Sequence, residues 1–97
     1  MTIGQKIKEL RESKGMLQRE LASKLKVGDG FLSKIERNQK VLKREHLLSI
    51  SKIFDFAYIE LETLWLANKV YDLIKDEDQA IQVLKVAEQE IKYGKSI

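Results

Sequence analysis

The stretch that decides the fold is Gln18-Arg19-Glu20-Leu21-Ala22-Ser23-Lys24-Leu25-Lys26-Val27-Gly28-Asp29-Gly30-Phe31-Leu32-Ser33-Lys34-Ile35-Glu36-Arg37. Its apolar residues fall at Leu21, Leu25, Val27, Leu32 and Ile35, with the small Ala22 one step after the first. That spacing predicts two short amphipathic helices meeting across a tight turn, over about 17–25 and 29–37. Leu17, Leu21 and Leu25 would stack on one face of the first helix, and Asn38 would supply a left-handed stop to the second.

Ser33, Lys34 and Arg37 then share the outer face of the second helix, a placement that suits docking in a DNA groove. The charge distribution agrees. Residues 1–52 carry 13 Lys and Arg against 6 Asp and Glu, a net of +7, whereas residues 53–97 carry 5 against 9, a net of −4. A basic first half points to a polyanion, and the acidic second half to a different task.

Before this pair, Thr2 followed three residues later by Gln5 forms a capping-box pattern, and Ile3, Ile7 and Leu10 repeat at helical spacing up to Ser13. Gly15 provides the left-handed residue that ends that helix. After it, Leu47, Leu48, Ile50, Ile53 and Phe54 predict a fourth helix from Arg44 to Phe54, with Ser49, Ser51 and Lys52 outward. A fifth, from Tyr58 to Ile74, is apolar around well over half its circumference. Asp76 is expected to cap a sixth, with Ala80, Leu84, Ala87 and Ile91 as its stripe and Gly94 as its stop.

The 97 residues suffice for one domain. The expected fold is all-α: a helix-turn-helix bundle of four to five helices with an additional C-terminal helix. Residues 1–56 would form the DNA-binding unit, and 57–97 helices packed on it, within one compact domain. Without cysteine, disulfides, thiolate metal sites and thiol nucleophiles are excluded. The absence of long apolar runs and of a signal-peptide layout predicts a soluble, cytoplasmic protein. One histidine, His46, and no carboxylate pair in a pocket-forming context argue against an enzyme. The Asp76-Glu77-Asp78 run reads as capping rather than a metal site, and no cofactor is expected.

From about Ile3 to Leu61 the sequence resembles the XRE (lambda repressor and Cro-like) helix-turn-helix family, on Leu10-Arg11, the Gln18-to-Ala22 segment and Leu32-Ser33-Lys34-Ile35-Glu36-Arg37. The resemblance implies a recognition helix in the major groove. Asp29, Gly30, Phe31 and Lys34 would face bases, and Gln18, Ser33, Arg37, Asn38 and Lys40 phosphates. It also implies that Glu36 pairs with Arg11. Lys43 and Arg44, which oppose the dipole at the start of the fourth helix, make sense beside a further phosphate.

The chain departs from the family at Lys26, where glycine is usual and a non-glycine residue in the left-handed region costs roughly 1 kcal/mol or more. Gly28 stands where Ser or Thr usually opens the recognition helix, and Gly30 adds a further penalty, so a loose helix tip is expected in the absence of DNA. Asp29 could accept from a cytosine amine yet repels phosphates, and Gly30 offers no side chain for readout.

The C-terminal third weakly resembles regulators found beside DNA methyltransferase genes. Its apolar surplus suggests a homodimer built on Trp65, Leu66, Val70, Tyr71, Leu73, Val83 and Val86, which would act on a palindromic operator in double-stranded DNA. The competing reading is a protein-interaction module, such as an antitoxin or anti-repressor, with those helices occupied by another protein.

Overall fold

A computed structural model describes residues 1–94. It contains six helices: α1 (Ile3–Ser13), α2 (Gln18–Leu25), α3 (Asp29–Glu36), α4 (Arg44–Phe54), α5 (Tyr58–Ile74) and α6 (Ala80–Gly94), with no strand among the described residues. The chain is therefore all-α, and its helix-turn-helix lies where the apolar spacing puts it.

Local chemistry accounts for most boundaries. The Gln5 amide donates to Thr2 Oγ1 (3.1 Å) and the Thr2 amide to Gln5 Oε1 (2.8 Å), closing the capping box of α1. Gly15 is left-handed at φ 63°, as is Asn38 at the same value. Lys26 takes the left-handed position at φ 59° between α2 and α3, where the Val27 amide bonds the Ala22 carbonyl at 3.0 Å. Asp55, at φ 50°, ends α4 in the same way.

Ile7, Leu21, Ala22, Leu32, Leu47, Ile50 and Leu61 are fully buried and join α1 to α5 in one core. Gly4 allows α1 to lie close on α3: a Cβ there would collide with the Ile35 carbonyl and sit 2.7 Å from Asn38 Oδ1.

Several expectations need correction. Leu17 lies outside α2 at its N-cap and is half-exposed, because the chain enters α2 extended at ψ 154° and the leucine cannot join the Leu21 and Leu25 stripe. Leu48 is also half-exposed, since Leu47, Ile50 and Phe54 fill the buried face of α4. Ser51 does not simply face outward: its hydroxyl donates to the Phe56 carbonyl at 2.6 Å and ties down the turn after α4. α3 itself opens at Asp29 as expected, with the Leu32 amide on the Gly28 carbonyl at 3.1 Å and Phe31 packed against the core.

Asp76 does not cap α6. Lys75 keeps right-handed helical angles after α5, the Glu77 amide bonds the Ile74 carbonyl, and the acidic run is spent in a turn, so α6 opens at Ala80. Moreover, α6 buries none of its residues, whereas α5 packs on α4 and α1. Residues 95–97 of the expected C-terminal unit lie outside the described residues.

Candidate DNA interface

Arg11 ties α1 to α3. Its Nε and Nη2 donate to Glu36 Oε2 (2.8 Å) and Oε1 (3.0 Å), and its Nη1 donates to the Met16 carbonyl (2.7 Å). Gln18 Nε2 adds a bond of 3.0 Å to Glu36 Oε1. The Glu36 carboxylate thereby fastens α1 and the start of α2 to α3, and Arg11 adds the α1–α2 turn. Its hydrogen bond to Arg11 is the main reason that the guanidinium is held above its ordinary pKa, against the opposing cost of burial.

On the open side of this lock, Asp29, Lys34, Arg37, Asn38, Lys40 and Lys43 are exposed, and Ser33 is half-buried. The Arg37 Nε reaches back to the Ser33 carbonyl at 3.3 Å, which lays its side chain along α3. Three residues assigned to this surface have other engagements. Gln18 directs its amide to Glu36 rather than leaving it free. Phe31 is half-buried against the core, its ring centroid 6.1 Å from that of His46. Arg44 donates through Nε to Glu62 Oε2 at 2.9 Å.

His46 fills a role that the sequence reading missed. Its Nδ1 accepts from the Lys43 amide at 3.1 Å, serving as the third-position acceptor of a cap usually made by Glu or Gln. Its spacing from Lys43 was the available signal. Asn68 was missed for a different reason, because no local pattern foretells that its Oδ1 accepts from the Ile3 amide, 65 positions away, at 2.7 Å.

Around Arg44, Tyr58 donates to Glu62 Oε2 at 2.8 Å. That bond, followed by the one from Arg44, holds the Glu62 carboxyl below its ordinary range. The same contacts with Glu62 raise the Arg44 guanidinium and the Tyr58 phenol.

Trp65, expected on a dimer surface, instead belongs to the chain's own core. It is 6% exposed, and its Nε1 donates to the Leu42 carbonyl at 2.9 Å. Leu66, Val70, Tyr71, Leu73, Val83 and Val86 are all exposed. Val70 and Tyr71 also line an open apolar groove of about 490 Å³ between α5 and α6, together with Ile74, Ile81 and Leu84.

A family model described as a helix-turn-helix domain matches residues 4–71, more than half of the chain and the whole interface above. The chain belongs to the XRE-type helix-turn-helix family. It is 32% identical over 88 residues to the HTH-type transcriptional regulator ImmR of Bacillus subtilis (strain 168), covering 88% of this chain and 69% of that protein.

Among solved structures, it resembles the biofilm master regulator SinR in complex with DNA, with TM-score 0.56 and 38% identity over 62% of this chain and 97% of that one. It also resembles the clp gene regulator ClgR of Corynebacterium glutamicum, with TM-score 0.58 and 25% identity over 88% of each chain. A chain of the SinR–SinI complex matches with TM-score 0.56 and 28% identity over 99% of this chain and all of that one. As a helix-turn-helix regulator of the ImmR and SinR type, the protein carries α2 and α3 as its family's defining pair. Among the described residues, no helix is long and apolar enough to cross a membrane.

Proposed function

We propose that this regulator binds double-stranded DNA sequence-specifically, as a homodimer on a palindromic operator. The observation that carries the reading is the exposed Lys34 and Arg37 on a recognition helix whose orientation is fixed by the Arg11–Glu36–Gln18 lock. Lys34 can donate to guanine O6 or N7, and Arg37 can grip a phosphate. Lys40 and Lys43 extend the basic surface beyond α3, and Arg44 adds a third cation at the start of α4. The similarity to SinR, solved with DNA, supports the same assignment.

The dimer accounts for the apolar side chains of Leu66, Val70, Tyr71, Leu73, Val83 and Val86, which are exposed among the described residues. A two-fold axis through these helices would present two recognition helices to successive major grooves, roughly 34 Å apart. Control of a restriction-modification or methyltransferase locus would follow only from the C-terminal resemblance. Selection of bound sequences from random DNA tests the proposal: enrichment of an inverted repeat is expected, and recovery of no preferred sequence contradicts it.

A second reading, a module whose C-terminal helices engage another protein, is favoured by the unburied α6 and by the likeness to a SinR–SinI complex chain. Stoichiometric co-purification of a partner, with no DNA binding at low salt, would decide for it.

A further inference from the structure

We propose that Tyr58, Glu62 and Trp65 of α5 are positioning residues that hold the Arg44 guanidinium ready for a DNA phosphate. The inference rests on the DNA-binding reading and extends the interface to a helix otherwise assigned to dimerisation. Arg44 is the first residue of α4, beside Lys43 at its N-cap. Its Nε donates to Glu62 Oε2 at 2.9 Å, and the guanidinium carbon lies 5.1 Å from the centre of the Trp65 ring. Glu62 is itself fixed by the Tyr58 hydroxyl at 2.8 Å, and Trp65 by its bond to the Leu42 carbonyl in the segment leading into α4. Each contact on Arg44 is thus backed by a second.

The physical gain is preorganisation. A free arginine surrenders rotamer entropy when it grips a phosphate, and one already held between a carboxylate and an aromatic face surrenders less. The hydrogen bond engages Nε, and the side chain is still 58% exposed, so the planar fork keeps access to a second acceptor. Glu62 also opposes the approach of a phosphate by its charge. That repulsion is screened at an exposed site, whereas without Glu62 only the Trp65 face is left to orient Arg44.

The two effects have opposite signs, which makes the assignment testable. Affinity of the full chain for a labelled mixed-sequence duplex is measured at several salt concentrations, for wild type, Arg44→Ala, Glu62→Ala, Tyr58→Phe and the two double variants with Arg44→Ala, with thermal unfolding in parallel. Arg44→Ala is expected to weaken binding roughly tenfold and to lower the salt slope by about 0.9. Glu62→Ala should weaken binding about threefold despite losing a negative charge, and the charge-neutral Tyr58→Phe about twofold. Both variants should have smaller salt slopes than wild type and no further effect in the Arg44→Ala background. Unchanged or tighter binding by Glu62→Ala and Tyr58→Phe, or effects that persist without Arg44, would overturn the assignment while leaving the DNA-binding reading intact. A wild-type chain that binds no duplex at low salt would overturn both.

Discussion

Arg11 and Glu36 face each other across α1 and α3 through two hydrogen bonds of 2.8 and 3.0 Å, with side chains only 11% and 2% exposed. The buried carboxylate has its charge met by a guanidinium and accepts a further hydrogen bond at Oε1 from Gln18. Removing either partner strands the other charge in the core. Arg11→Ala or Glu36→Ala is therefore expected to destabilise the fold by about 3–5 kcal/mol, whereas replacing both with apolar residues of similar size should cost much less. Urea unfolding of the single and double variants checks this; additive losses would contradict it.

The contact of α1 with α3 has a steric requirement as well. Gly4→Ala would put a methyl group into the Ile35 carbonyl, a backbone atom that cannot rotate away. A loss of about 1–3 kcal/mol is expected, opposite in sign to the gain from replacing glycine with alanine in an unobstructed helix. The thermal midpoint reports the sign directly.

The dimer proposal predicts that Leu73→Glu leaves the monomer fold intact, because Leu73 is 79% exposed and outside the core. The same change buries a carboxylate if a second chain covers that face. Sizing by light scattering should show a dimer for wild type and a monomer for the variant, with helical content unchanged. A wild-type monomer at concentrations well above those needed for DNA binding would rule the dimer out.

Glu62 makes a pH prediction. Its folded-state carboxyl titrates below the ordinary value of 4.5, chiefly through Tyr58 and then Arg44. The resulting stabilisation is fully present above the unfolded carboxylate range and is lost as pH falls through the lower folded value. Unfolding midpoints of Glu62→Gln should accordingly fall less steeply on acidification than those of wild type. Equal slopes would remove Glu62 from the acid response.

The bounds of α1, α4 and α5 were legible because each is marked by neighbouring residues: the Thr2–Gln5 box, the apolar repeat of α4 and the dense run from Tyr58 to Ile74. Lys26 shows what the family resemblance adds: glycine is usual at that turn, and this chain takes the left-handed conformation there at φ 59° with a lysine in place. What escaped is long-range or depends on competition. Position along the sequence points Gln18 and Arg44 at phosphates, yet each has a carboxylate within reach, on α3 and α5 respectively, that only the folded chain brings near. Trp65 resembles the rest of the apolar surplus of α5 until its indole is seen to close on Leu42. Asp76 has the right chemistry for a cap, but continuation of the chain past Ile74 moves the start of α6 beyond it.

The central claim is that α3 reads DNA through its exposed cationic side, and the most direct test is the affinity of Lys34→Ala, Arg37→Ala for the duplex that wild type selects from random DNA. Two charge-assisted contacts are at stake, so a loss on the order of a hundredfold is predicted, with a salt slope smaller by about two. A double variant that binds this duplex as tightly as wild type, with the same salt dependence, would contradict the account.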